Sequence, residues 1–439
     1  MSSKLILAAA LAVALPLSAS AATETILYAF PGGGGFALGT GAGLPLSDLI
    51  QDETGDLFGT TNFGGKGCGS NGPGCGTVYR LHLRSPSEPW RIKILTSFHD
   101  GSDGSYPVGG VTAGSNGVLY GTASGGGSGV ASAGAGLVFE LIPPVAPKTS
   151  WKRKILYRFP GGDGGATPMG RLLRDASGAL YGTTQFGGTS NNGTIFKLTP
   201  PAPGKTSWKR AVLYSFAGGD DGSQPMGGLL QDIAGNLYGT TAVGGNTNNP
   251  MGTVFKLSLP AAAGGSWKET VIYRFTGGSD GAFPGASNLV SDASGVLYGT
   301  TLAGGGDDTN VGTVFSLTPP APGRLVWKER ILHRFKTSDG TNPNSGVTID
   351  PAGNLYGITT NGAPAGFGSV FKLAPPAVAG DGWAFTKLHI FTGGTDGIHP
   401  KAGLLLKTDG TLFGTSSQGG GACPALTADG CGTAFQIVP

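Results

Sequence analysis

The chain has 439 residues, and its 83 glycines and 30 prolines make up about a quarter of it, roughly twice the usual share. Charged residues are only 13% and the net charge is +3, too weak a balance to argue for a nucleic acid partner. Beyond the N-terminus there is no long apolar run and no stretch of helical periodicity ten residues long, which excludes multi-span membrane proteins, helix bundles, Rossmann folds and most α/β enzymes.

Residues 1–21 read as a secretory signal. Lys4 supplies the positive n-region, Leu5 to Leu17 the apolar h-region, and Ala19-Ser20-Ala21 the small-residue cleavage site. Removing them leaves 22–439, expected to form one domain with no integral membrane segment, secreted or periplasmic. Export permits disulfides. Four cysteines fall in two local pairs, Cys68 with Cys75 and Cys423 with Cys431, each bracketing a Gly-rich loop ahead of the same repeated strand. These read as two structural staples, although four cysteines allow three pairings.

Self-similarity dominates the rest. The segment Leu237-Tyr238-Gly239-Thr240-Thr241 recurs seven times, its aromatic appearing as Phe58, Tyr120, Tyr181, Tyr238, Tyr298, Tyr356 and Phe413. Each copy of about sixty residues carries four strand-like stretches. In the fourth copy they are a (Gly228 to Asp232), b (Leu237 to Thr241), c (Gly252 to Leu257) and d (Trp267 to Phe275). An Asp-x-x-Gly turn joins a to b, and a Pro-rich loop joins c to d. The pattern predicts an all-β fold, a seven-bladed β-propeller with four antiparallel strands per blade. Glu24 to Phe30 is a d stretch with nothing before it, and Gly432 to Val438 is a c stretch with no d after it. The N-terminal strand is therefore expected to complete the last blade.

Most conspicuous residues belong to repeat columns. All six tryptophans start d, a phenylalanine ends every d, and c always holds an aromatic. These should pack between blades. Lysine and arginine crowd into d, where charge protects an exposed sheet edge; the rival reading is a basic band for an anionic polymer. His333 and His389 share a d column with tyrosines and look structural.

The unassigned residues gather on one face, that of the d–a and b–c loops. They are the aromatics Phe36, Phe63, Tyr106, Phe186, Phe283 and Phe367, with His99 and His399. The d–a loops also carry Asp103, Asp221, Asp280 and Asp396, which would bind a ligand as a ring around the mouth or merely form Asp-Gly turns. Asp307 and Asp308 add an acidic pair in a b–c loop. This loop face is the candidate ligand-binding surface. Gly277 to Gly281 matches Gly-x-Ser-x-Gly but lacks the strand–turn–helix context of a nucleophile elbow. No metal-ligand spacing is present and no motif calls for a cofactor.

The run Gly228 to Gly245, followed by Gly252 to Leu257, resembles the GloVer tandem-repeat family of exported bacterial proteins, and its a–b part is similar to NHL-type propeller repeats. The resemblance implies export, often with a C-terminal surface anchor. Ending at Pro439 just past c, this chain departs from that pattern, so a soluble secreted or periplasmic form is expected. The family supplies no catalytic residues. The leading expectation is a non-catalytic binding module for a glycan or cell-envelope polymer. The alternatives are a polysaccharide lyase or hydrolase using carboxylates on the same face, and a structural scaffold without a small ligand. A protein partner is not specified.

Overall fold

A tight turn between consecutive β-branched stretches brings only one partner within reach, so each repeat closes on itself as an antiparallel sheet. In the computed structural model, which describes residues 22–31, 42–65, 74–85, 87–127, 134–262, 264–286, 288–306, 311–378, 380–421 and 432–439, this happens seven times. Blade 4 shows the pattern. Strand a (Leu230–Gln231) pairs b (Leu237–Thr241), b pairs c (Thr253–Ser258), and c pairs d (Lys268–Arg274). A register shift interrupts c–d in every blade. Such bulges add right-handed twist, which suits blades arranged around an axis. Strand a is innermost and d is the outer edge. The chain is a seven-bladed β-propeller.

The ring closes as the chain ends require. Thr23–Ala29 pairs antiparallel with Thr433–Val438, matching Thr23 to Val438, Ile26 to Phe435 and Ala29 to Thr433. The Phe30 N–H donates to the Gly432 carbonyl at 2.9 Å. Blade 7 thus takes its outer strand from the N-terminus and its other strands from the C-terminus.

Packing between blades repeats one contact. The phenylalanine that ends d meets the aromatic of the next blade's c strand edge-on. The pairs are Phe30–Tyr79, Phe98–Phe139, Phe159–Phe196, Phe216–Phe255, Phe275–Phe315, Phe335–Phe371 and Phe391–Phe435, with ring centroids 5.1–5.3 Å apart. These rings are buried. Each c aromatic lies over the glycine of its own b strand. A Cβ on Gly239 would come within 2.6 Å of Phe255, and the other six copies would suffer clashes of 2.5–2.7 Å. That is why the b segment reads Leu-Tyr-Gly-Thr-Thr, with glycine at its centre. The tryptophans serve packing as expected, as where Trp208 meets Tyr120 at 6.0 Å and Trp327 meets Tyr238 at 6.1 Å, each across a blade boundary.

The basic residues of d need one correction. Lys152, Lys154 and Lys268 are exposed on the edge, but Arg153 and Arg210 turn inward. Arg153 lies over the Phe98 ring and pairs with Asp103 of the preceding loop, and Arg210 donates to the Gly164 carbonyl at 2.6 Å. Half-buried alternate positions along d face the neighbouring blade, so charge there clamps blades together. Among the described residues, no helix is long and apolar enough to cross a membrane.

Tyr79 stands where six other blades have phenylalanine, and its buried hydroxyl finds no hydrogen-bond partner among the described residues. Leaving such a group unpaired costs about 1–3 kcal/mol. The Tyr79→Phe variant is therefore expected to be more stable by about 1 kcal/mol, read as a raised denaturant midpoint at unchanged m-value.

Candidate functional site

The d–a loops build one face of the ring in two parts. The outer part holds the acids. Asp221 accepts the backbone N–H of Ala217 at 2.6 Å, Asp280 that of Thr276 at 2.9 Å, Asp396 that of Thr392 at 2.7 Å, and Asp103 that of His99 at 3.1 Å. Each carboxylate ties its own turn. Each also faces the outer strands: Tyr214 Oη donates to Asp221 at 2.7 Å, Tyr273 Oη to Asp280 at 3.1 Å, and His389 Nε2 stands 3.4 Å from Asp396. Of the two readings these acids allowed, a ligand ring around the mouth or Asp-Gly turns, the hydrogen bonds support turns at the perimeter. They follow immediately after d, the strand farthest from the axis. His99 joins them, with Nδ1 2.9 Å from Asp103, and so also lies away from the mouth.

A second carboxyl approaches three of these acids from the next blade's outer strand. Burial, reinforced by the charge of Asp221, pushes Glu269 up to about 8. Burial together with Asp280 raises Glu329 to about 7, and burial with Asp396 raises Glu24 to about 7. Burial also lowers His389 and His333 below the ordinary histidine value, against the opposing pull of Asp396 and Asp339.

The inner part of each loop ends in x-Pro, then leads to strand a. The residues before proline are Leu44, Tyr106, Thr167, Gln224, Phe283, Asn342 and His399, and all have left-handed φ, between 51° and 59°. Side chains are uncommon there, and the position before proline ordinarily prefers extended backbone. Backbone bonds hold the strain. The N–H of Thr167 donates to Ala135 of the preceding blade at 2.8 Å, while its carbonyl accepts from Gln185 of its own blade at 3.0 Å. Gln224 and Phe283 repeat both bonds. The following proline packs on the glycine that precedes the neighbouring c strand. A Cβ on Gly193 would lie 2.5 Å from Pro225 Cδ, and one on Gly432 would lie 2.8 Å from Pro45 Cδ, across the closure seam.

Three of the predicted residues, Tyr106, Phe283 and His399, thus share one column, and sequence reading missed its other members. The signal was available in the proline repeated seven times. Phe63 meets Tyr106 edge-on at 6.0 Å, and Phe367 meets His399 at 6.2 Å. Phe186 is exposed in a b–c loop, where its backbone bridges Ala166. Phe367 is half-buried against the core of the last blades. Phe36, Asp307 and Asp308 lie outside the described residues, as do Cys68, Cys423 and Cys431. Cys75 is buried, and no described cysteine is a free thiol.

Inside this column lies an axial funnel of about 200 Å³. Leu46, Val108, Met169, Met226, Asn344 and Lys401 form its rim. Its floor is the position just before strand a's first leucine or valine, occupied by Asp48, Gly110, Arg171, Gly228, Asn288, Gly346 and Gly403. Only three of these have side chains beyond hydrogen. Asn288 Nδ2 donates to Asp48 Oδ2 at 3.1 Å, a bond between blades 5 and 1 that crosses the channel. Asp48 also accepts the Gly403 N–H at 2.5 Å, and Asn288 Oδ1 accepts that of Gly228 at 2.8 Å. Below this waist a second cavity of about 400 Å³ opens toward the opposite face. Among the described residues no cluster of three or more histidines, cysteines or carboxylates is placed to hold a metal.

Fold and site together define a repeat propeller with an axial funnel on its d–a face. The Gloeobacter/Verrucomicrobia repeat family matches residues 45–315 and 306–439, and the chain belongs to that family. No protein of curated function is similar to it. Among solved structures, a protein described as a glucose dehydrogenase-type oxidoreductase from Thermus thermophilus is 14% identical, with 95% of this chain and 100% of that one covered at a TM-score of 0.43. A second glucose dehydrogenase is 14% identical, covering 95% and 99%, at 0.42. A luciferin-regenerating enzyme is 13% identical, covering 73% and 87%, at 0.38. Overlaps this loose carry no argument about chemistry.

The raised carboxyls set a pH dependence. A carboxyl whose folded pKa lies above its unfolded value of 4.5 contributes fully below that value, and its contribution is lost as pH rises through the folded pKa. The depressed histidines act in the opposite sense, costing stability as pH falls below about 6.5. Glu269→Gln removes only the first effect. Its melting temperature, measured by calorimetry from about pH 5 to 9, is expected to fall less steeply than that of the unaltered protein between about 5 and 8.

Proposed function

We propose that this protein is a non-catalytic binding module that works outside the cytoplasm and takes a glycan or cell-envelope polymer on its d–a/b–c face. One observation supports this most: apolar side chains, Leu46, Val108, Met169 and Met226, rim an open axial funnel whose floor converges on polar groups. This is the usual arrangement of a small-molecule site. At about 200 Å³ the funnel is smaller than the roughly 300–1,000 Å³ of drug-sized ligand pockets, so it suits one substituent or sugar unit of a longer chain. The converging floor speaks against a bare scaffold. The lyase or hydrolase reading has less support, because the loop acids are engaged in perimeter turns and Asp48 is the one carboxylate at the floor among the described residues. Replacing Phe63, Tyr106, Phe186 and Phe283 together by alanine is expected to abolish retention on a glycan array. Unchanged retention by a folded variant would refute the site.

Export belongs to the same reading: cleavage after Ala21, a single mature domain of 22–439, and disulfides Cys68–Cys75 and Cys423–Cys431. Expressed with its own leader, the protein should begin at Ala22 by N-terminal sequencing. Non-reducing peptide mapping should recover the two local pairs, and crossed pairs would overturn the staple assignment.

A further inference from the structure

We propose that the axial funnel is an anion site and that the glycan it takes is acidic, the carboxylate of a uronate unit entering the mouth to meet Lys401 at the rim and Arg171 at the floor. The assignment rests on the funnel being the glycan site and adds the ligand's charge.

Three observations carry it. Arg171 lines both cavities and so sits at the waist between them. Among the described residues it has neither a carboxylate nor a hydrogen-bond partner. A half-buried guanidinium without a counter-ion is unusual, since its five donors match a carboxylate bidentately. Lys401 is exposed on the rim of the same funnel and, among the described residues, is likewise unpaired. The opposing charge, Asp48, is already engaged by the Gly403 N–H and the Asn288 amide, which hold it on the floor. Two unpaired cations and one satisfied carboxylate favour a ligand with a negative charge. Met169, Met226, Leu46 and Val108 leave the remaining rim apolar, suited to the faces of a sugar ring.

The test uses the mature chain, oligogalacturonate, and the same oligomer with its carboxyls reduced to alcohols, followed by isothermal titration calorimetry. The acidic oligomer is expected to bind, with affinity falling as salt rises. The reduced oligomer should bind at least about tenfold more weakly. Arg171→Met is expected to cost at least about tenfold and Arg171→Lys less, while the rim variant Lys401→Gln should cost severalfold with an unchanged melting temperature. A Lys152→Gln/Lys154→Gln variant controls for the basic outer edge. Equal binding of both oligomers, or loss on changing the edge lysines but not Arg171 and Lys401, overturns the anion assignment and leaves the glycan reading standing. Binding of neither oligomer, with neutral glucans retained on the array, also refutes the anion assignment alone. No glycan binding of any kind defeats both.

Discussion

One contact underlies the architecture: a phenylalanine at the end of an outer strand set edge-on against the aromatic of the next blade's third strand, with a glycine beneath that second ring. Each part requires the others. The ring can lie that deep only because the b strand has no Cβ below it. The next blade can approach only because the ring presents its edge, the geometry that the aromatic quadrupole favours. Repeated at every boundary, the contact fixes both blade separation and blade rotation, and with them the diameter of the ring. The seam obeys the same rule, since Phe391–Phe435 and Phe30–Tyr79 bracket the composite blade. The chain ends are therefore held by the same packing as any internal boundary, with the paired strands of residues 23–29 and 433–438 added.

Polar groups show what the repeat permits to vary. The position two residues after the d-strand tryptophan points between blades, and it is arginine in blades 2 and 3 but glutamate in blades 4 and 5. Each solution answers the preceding loop. Arg153 neutralises Asp103, whereas Glu269 and Glu329 approach Asp221 and Asp280 and are pushed toward the protonated form. Spacing alone left these acids as either turn residues or ligands. Their hydrogen bonds show them shaping turns at the perimeter, well outside the funnel.

The funnel depends on the same economy of space. Small residues at the floor let the blades converge, and Asp48, Asn288 and Arg171 are the floor positions with longer side chains among the described residues. The left-handed residues before each proline cost about 1–3 kcal/mol apiece. They persist because bonds to two blades and a buried proline fix them. The funnel rim is thus attached to the rigid ring by its backbone, and its side chains are free to differ from blade to blade.

The sequence by itself determined the seven repeats, the four strands in each, the strand supplied across the closure and the aromatic packing columns. Local turn chemistry and a period-two pattern repeat without long-range information, so they can be read from one copy and checked in six others. It also picked out Tyr106, Phe283 and His399, because they broke the repeat. Only the tertiary structure decided which departures meet at the axis. Asp48 and Asn288 are 240 residues apart and touch across the channel, whereas the regularly spaced loop acids never converge. The reason is radial: position along a strand is written in the sequence, but distance from the axis exists only once the ring has closed.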